Sequence, residues 1–251
     1  MRLGTMAELA YRANFWIQLV ESLLTVGTVL GLVAVVTSQT DTLGGWGPGG
    51  LLIIAGVYFI VFSVLNVVIA PSLSRFIEDV RDGTLDFTLT KPADAQLLVC
   101  MSQFQFWKLM DLVLGVGVLL YGVHLRQMDV TPVDTLIFAG ALLSGMAVAY
   151  SFWIVLATLA FWFVRIENIL QIFWMVYGAG RWPVGIYPGW LRFVLTALVP
   201  VAVAVTIPAQ ALTGRLGWVG LLQVAVGAVV SLWISRMFWK FGLRHYSGAS
   251  A

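Results

Sequence analysis

Charge is what this sequence has least of. Only 10% of its 251 residues are Asp, Glu, Lys or Arg, whereas 60% are hydrophobic; soluble globular domains carry about 25% charged residues. So little polar surface cannot cover a core of this size in water, so part of the solvent must be lipid. The net charge of +2 is too small to mark a nucleic-acid surface, and no nucleic acid is expected as a partner. Cysteine is nearly absent. The single Cys100 cannot form an internal disulfide and reads as a small buried hydrophobe.

Catalytic and ligating groups are equally scarce. There are two histidines, His124 and His245, predicted at opposite membrane faces. A zinc site needs about four converging ligands, so no metal is expected. ATP hydrolysis in its P-loop form needs a Gly-Lys-Ser/Thr turn, and none of Lys91, Lys108 or Lys240 follows a glycine. Ser63, Ser144 and Ser151 fall within apolar runs with no histidine at their depth to act as a base. No cofactor and no catalytic residue is expected on this chain.

What the sequence has in abundance is apolar runs near the ~20 residues that a helix needs to cross a bilayer. They cover 15–36, 51–70, 109–125, 135–163 and 217–238. The segment before the first run is polar, with Arg2, Glu8 and Arg12. The run itself is too long for a signal peptide and lacks a small-residue cleavage site. With the N-terminus inside, the inner segments hold Arg2, Arg12, Arg75, Arg81, Lys91, Lys108, Arg165, Arg236, Lys240 and Arg244. The outer ones hold Arg126, Arg181, Arg192 and Arg215. This bias puts both termini in the cytoplasm and requires an even number of crossings.

Six crossings are reached in two ways. In the favoured one, 166–180 crosses and 190–208 dips into the outer leaflet as a re-entrant hairpin bent at Pro200. In the other, 166–180 lies in the interface and 190–208 crosses. Pro183, Pro188, Pro200 and Pro208 punctuate the region as two short pieces. Trp16, Trp46, Trp107, Trp182, Trp190 and Trp239 fall near predicted span ends, where amphipathic rings settle at the headgroups.

One island breaks the apolar pattern. Phe76, Ile77 and Val80 recur at helical spacing, while Arg75, Glu78, Asp79, Arg81 and Asp82 take the other face and Gly83 stops the helix. Leu85, Phe87 and Leu89 then alternate with polar residues, predicting an extended piece. Lys91-Pro92 closes it, and Asp94 is placed to N-cap the next helix. A helix lying on anionic lipid would favour Lys and Arg. This mixed, slightly acidic face with Phe and Ile anchors suits a protein partner better.

The run Phe76-Ile-Glu-Asp-Val-Arg-Asp-Gly-Thr-Leu-Asp-Phe-Thr-Leu-Thr-Lys-Pro92 resembles the signature of ABC exporter permeases of the second type. That signature is an acidic, Arg-containing helix, then Gly-(Ser/Thr)-Leu-Asp, then apolar residues and Lys/Arg-Pro. Ile186-Tyr-Pro-Gly-Trp-Leu-Arg192, Val199-Pro200 and Ile207-Pro-Ala-Gln-Ala-Leu-Thr-Gly214 resemble the same family's segment before its last span. The resemblance covers essentially the whole chain, 1–251, as one transmembrane permease domain. It implies an all-α integral membrane fold of six spans. With them come cytoplasmic amphipathic N-terminal and coupling helices, and a re-entrant outer-leaflet helical hairpin before the last span. It also implies a second permease, identical or paralogous, and a separate ATPase dimer that binds ATP and Mg. Carried onto this sequence, Arg75, Phe76, Ile77, Glu78, Asp79, Arg81, Asp82 and Gly83 form the ATPase-docking helix, and Glu8 to Arg12 belong to the N-terminal interfacial helix. The cargo would leave across the inner (plasma) membrane. Without the coupling motif, the same composition would suit a secondary transporter, a channel or a structural membrane protein.

Within the spans, Glu21 is the carboxylate expected near a pathway, since ionisable groups at depth are costly. Its bland alternative is a snorkelling pair with Arg12, and Lys108 and Asp111 read as a local pair at a span end. Gly27 and Gly31 form a GxxxG, and Ala141 and Gly145 begin a small-residue stripe continued by Ala149. Both let backbones approach, within one subunit or across a dimer.

Overall fold

The computed structural model describes residues 2–127, 129–163 and 166–246. The side chains of residues 2–15 and of Glu167 fall outside that description, as do Arg165 and Ser247–Ala251, so the expected roles of Arg2, Glu8 and Arg12 are not addressed.

Eleven α-helices are described. α1 (Arg2–Gln39) contains both the polar N-terminal segment and the first apolar run. No proline interrupts it, so the backbone ladder runs on from the polar segment into the apolar run. α2 (Pro48–Val64) opens on Pro48, whose missing N–H costs nothing at a helix start. It passes through a π-helical turn (Leu65–Ile69) directly into α3 (Ala70–Arg81). α4 (Asp86–Leu89) and α5 (Ala95–Cys100) are single turns or little more. A 3₁₀ turn (Phe106–Lys108) then enters α6 (Leu109–Leu125). α7 (Pro132–Thr158) begins earlier than hydropathy alone places it, because Thr131 and Asp134 form a reciprocal capping box ahead of the apolar run.

α8 (Ile166–Tyr177) continues as a 3₁₀ turn (Gly178–Arg181). α9 (Gly189–Phe193) and the π turn Val194–Leu198 form one limb of a bent pair. The π turn Ala202–Thr206 and α10 (Ile207–Leu212) form the other. The chain closes with α11 (Trp218–Leu243). Five helical stretches are long and apolar enough to cross a membrane, or six if the bent pair counts as one; that pair is bent by 79°.

The contacts of the bent pair decide its path. Ahead of it, Ile186 meets Gly44 in the loop between α1 and α2. Behind it, Arg215 donates to the Gly45 carbonyl at 2.9 Å and stacks over the Trp46 ring at 4.4 Å. Both ends therefore lie at one face, while Val201 and Ala204 reach down to Gly180 and Gly145. This is the re-entrant hairpin. α8 and its 3₁₀ turn run from α3, with which Leu170 and Trp174 share a cavity wall, to Gly180 beside Tyr58 midway along α2. α8 and its 3₁₀ turn span only about 26 Å, and the turns at 182–186 carry the chain on to the face of Gly44.

α2 is the buried centre, enclosed from Gly49 to Val61. Its partner α6 approaches backbone to backbone at glycines seven residues apart on both helices. A Cβ at Gly56 would lie 2.6 Å from the Leu119 backbone, and one at Gly122 would lie 2.8 Å from Gly49 and Ile53. Ala141 and Gly145 of α7 seat the hairpin, with a Cβ at Gly145 falling 2.8 Å from the Val203 carbonyl. That stripe packs within one chain. Gly27 and Gly31, by contrast, meet nothing within 4 Å. Among the expected headgroup tryptophans, Trp16 and Trp190 are exposed, but Trp46 and Trp239 are buried.

Candidate functional site

The charged island lies on the face opposite the hairpin mouth, at the end of the α2–α3 rod. α3 is amphipathic as its periodicity predicts: Leu73, Phe76 and Ile77 are buried, and Arg75, Glu78, Arg81 and Asp82 are exposed. Arg75 pairs with Asp79 at 3.1 Å and approaches Glu78 at 3.9 Å. Gly83 takes φ +70°, the left-handed conformation that glycine adopts at no steric cost, and ends the helix as expected.

Two expectations change here. Phe76 and Ile77, read as anchors for a partner, are buried in the chain's own core. Phe76 meets Phe161 at 5.5 Å and Trp239 at 5.0 Å between ring centroids. What α3 offers outward is its charged face. The stretch 85–89 is helical rather than extended. Thr88 and Leu89 bond back to the Leu85 carbonyl, and Thr90 to that of Asp86. No strand exists among the described residues for an extended piece to pair with, so its backbone groups are satisfied locally. Leu85 is buried under the turn while Phe87 is 75% exposed.

The return limb is tied to the spans by a side-chain network that the sequence did not reveal. Asp94 caps α5 through the Leu97 N–H at 3.2 Å, as its position predicts. Its carboxylate also takes both Arg236 terminal nitrogens of α11. The same guanidinium donates to Gln96 at 2.8 Å, Gln96 donates to the Tyr150 hydroxyl of α7 at 3.0 Å, and Cys100 sits 3.3 Å from that hydroxyl. The Arg236 hydrogen bonds hold the Asp94 carboxyl below the usual carboxylate range. Burial pushes the Cys100 thiol up to about 11. Together with the Phe76–Phe161–Trp239 cluster, this fastens the charged segment to α7 and α11 at two points. Asp94 and Arg236 are 142 residues apart, so no local pattern announces the pair.

Glu21 lines a cavity of about 200 Å³ with Lys108, Asp111 and Arg181. Lys108 and Asp111 do not pair with each other; Asp111 accepts instead from Ser22 of α1. Arg181, counted from sequence among the outer loops, lies over the Tyr58 ring at 5.4 Å. A larger apolar cavity of about 550 Å³ lies between α7, the hairpin and α11, lined by Phe152, Leu198, Pro200, Val203 and Gly227 among others.

The fold and this segment define a class: a multi-pass helical membrane protein with a charged helix held rigidly at one face. The chain belongs to the ABC-2 transporter family. The family model described as "ABC-2 family transporter protein" matches residues 23–250. No curated protein and no solved structure matches the chain. It is a transport membrane subunit, and its family associates with ABC ATPase subunits.

Proposed function

We infer that this chain is the permease subunit of an ATP-driven exporter, pairing with a second permease, identical or paralogous, and with a separate ATPase dimer. Both termini and the α3 face lie in the cytoplasm of a cell whose inner membrane holds the complex. ATP and Mg²⁺ bind the ATPase, and an amphipathic or hydrophobic cargo moves outward. The carrying observation is the α3 segment. Its apolar side is fully used inside the chain, its charged side faces out, and it is bonded to α7 and α11, so force applied there reaches two spans.

The docking residues are Arg75, Glu78, Asp79, Arg81 and Asp82, with Gly83 setting the helix end. Co-purification with a candidate ATPase tests this. The triple variant E78A/R81A/D82A should lose the complex while the permease stays folded. An intact complex would move the docking site elsewhere. The uncovered Gly27 and Gly31 face of α1 suits the second permease.

A further inference from the structure

The cavity beside Glu21 sets charged and neutral polar side chains against the rings of Tyr58, Phe59 and Phe62. α1 contributes Gln18, Glu21, Ser22 and Thr25; the 3₁₀ turn ahead of α6 contributes Lys108 and α6 itself Asp111; Arg181 enters past Tyr58. Two carboxylates and two cations therefore face one space of about 200 Å³. Among the described residues no ion pair within 4.0 Å joins any two of them. Glu21 accepts from Gln18 at 3.2 Å, Asp111 accepts from Ser22, and the Arg181 Nε is buried without a hydrogen-bond partner. Charges at this depth are costly unless paired. Here they balance in number and are held apart around a gap.

We propose that this cavity binds the zwitterionic head of an amphiphile, with Arg181 and Lys108 taking an anionic oxyacid group and Glu21 and Asp111 taking an ammonium. Arginine's planar fork suits phosphate-type oxygens, and lysine adds a point charge. The depth fits. Lys108 and Asp111 sit where α6 leaves the charged face, so a head entering there keeps its chains in the leaflet on that side. Glu21 is exposed at the cavity's edge, leaving an entrance along α1. Binding stands by itself; only the statement that the bound amphiphile is cargo rests on the exporter reading.

The test uses the purified full chain in a neutral detergent, without any ATPase, so a failed exporter reading leaves it intact. Native mass spectrometry measures binding of a short-chain phosphatidylethanolamine, a phosphatidylglycerol of the same chains, and free phosphoethanolamine. The phosphatidylethanolamine should bind about tenfold or more tightly than the phosphatidylglycerol, which lacks the ammonium. R181Q should weaken both lipids, and D111N should remove the preference between them. Competition by free phosphoethanolamine marks the head as the recognised part; its failure to compete assigns the occupant to membrane lipid with chains. Should R181Q not fold, E21Q, at an exposed position, reads the same preference. Equal binding of the two lipids to the wild-type chain, or a preference untouched by D111N and E21Q, overturns the proposal.

Discussion

Gly56 shows how little space a single residue has in this protein. Its missing side chain is what lets α6 lie against α2, with the Leu119 backbone 2.6 Å from where a Cβ would stand. Backbone cannot move aside as a flexible side chain can. Gly56→Val should therefore cost about 3 kcal/mol, read as a lower melting temperature in detergent. Gly117→Ala on the partner helix α6, with nothing within 4 Å, should be close to neutral. Cys100 illustrates the opposite situation, a reactive group made inert. It is buried beside Tyr150, and its thiol is raised to about 11. Maleimide should leave it unlabelled at neutral pH in the folded chain and label it after denaturation; rapid labelling of the native chain would contradict the described packing.

At the scale of elements, the joint between α5 and α11 can be isolated from the rest. Asp94 and Arg236 are each about one-third exposed, so a double-mutant cycle of D94N and R236Q should give a coupling of about 1 kcal/mol. The pH dependence has a definite sign. Asp94 binds its proton more weakly in the folded chain than in the unfolded one. Its contribution is therefore complete above the ordinary carboxylate value of about 4 and is lost as pH falls through the lowered folded value. The melting difference between wild type and D94N should stay level from neutral pH to about 5 and shrink below about 4.

These elements also show what a sequence makes legible. Long apolar runs, the amphipathic period of α3, the Gly83 stop and the Asp94 cap are encoded within a few residues, and the structure contains them. The extended piece at 85–89 misled because five alternating residues satisfy a strand pattern without showing whether a partner strand exists. The inward turn of Phe76, the Asp94–Arg236 bond and the descent of Arg181 toward Lys108 depend on residues far apart in the chain. Periodicity shows which face of a helix is apolar, but not what will cover it.

At the scale of the whole molecule, the surface left uncovered is informative. Along α1, Leu24, Leu32 and Val35 are exposed together with Gly27 and Gly31. If the second permease is a copy of this chain seated there, Gly31→Cys in a Cys100→Ser background should form an oxidant-dependent covalent dimer in membranes. A cysteine at Val219, exposed near the start of α11, should not. The continuity of α2 with α3 has a mechanical consequence. A 34-residue helical stretch runs from Pro48 to Arg81 and has one widened turn at Leu65–Ile69, where Asn66 adds a side-chain bond to the Phe62 carbonyl. Its two limbs, α3 and α2, are about 18 Å and 26 Å long. No loop separates them, so a displacement of the charged end has no slack segment in which to be lost before it meets the buried centre of the bundle.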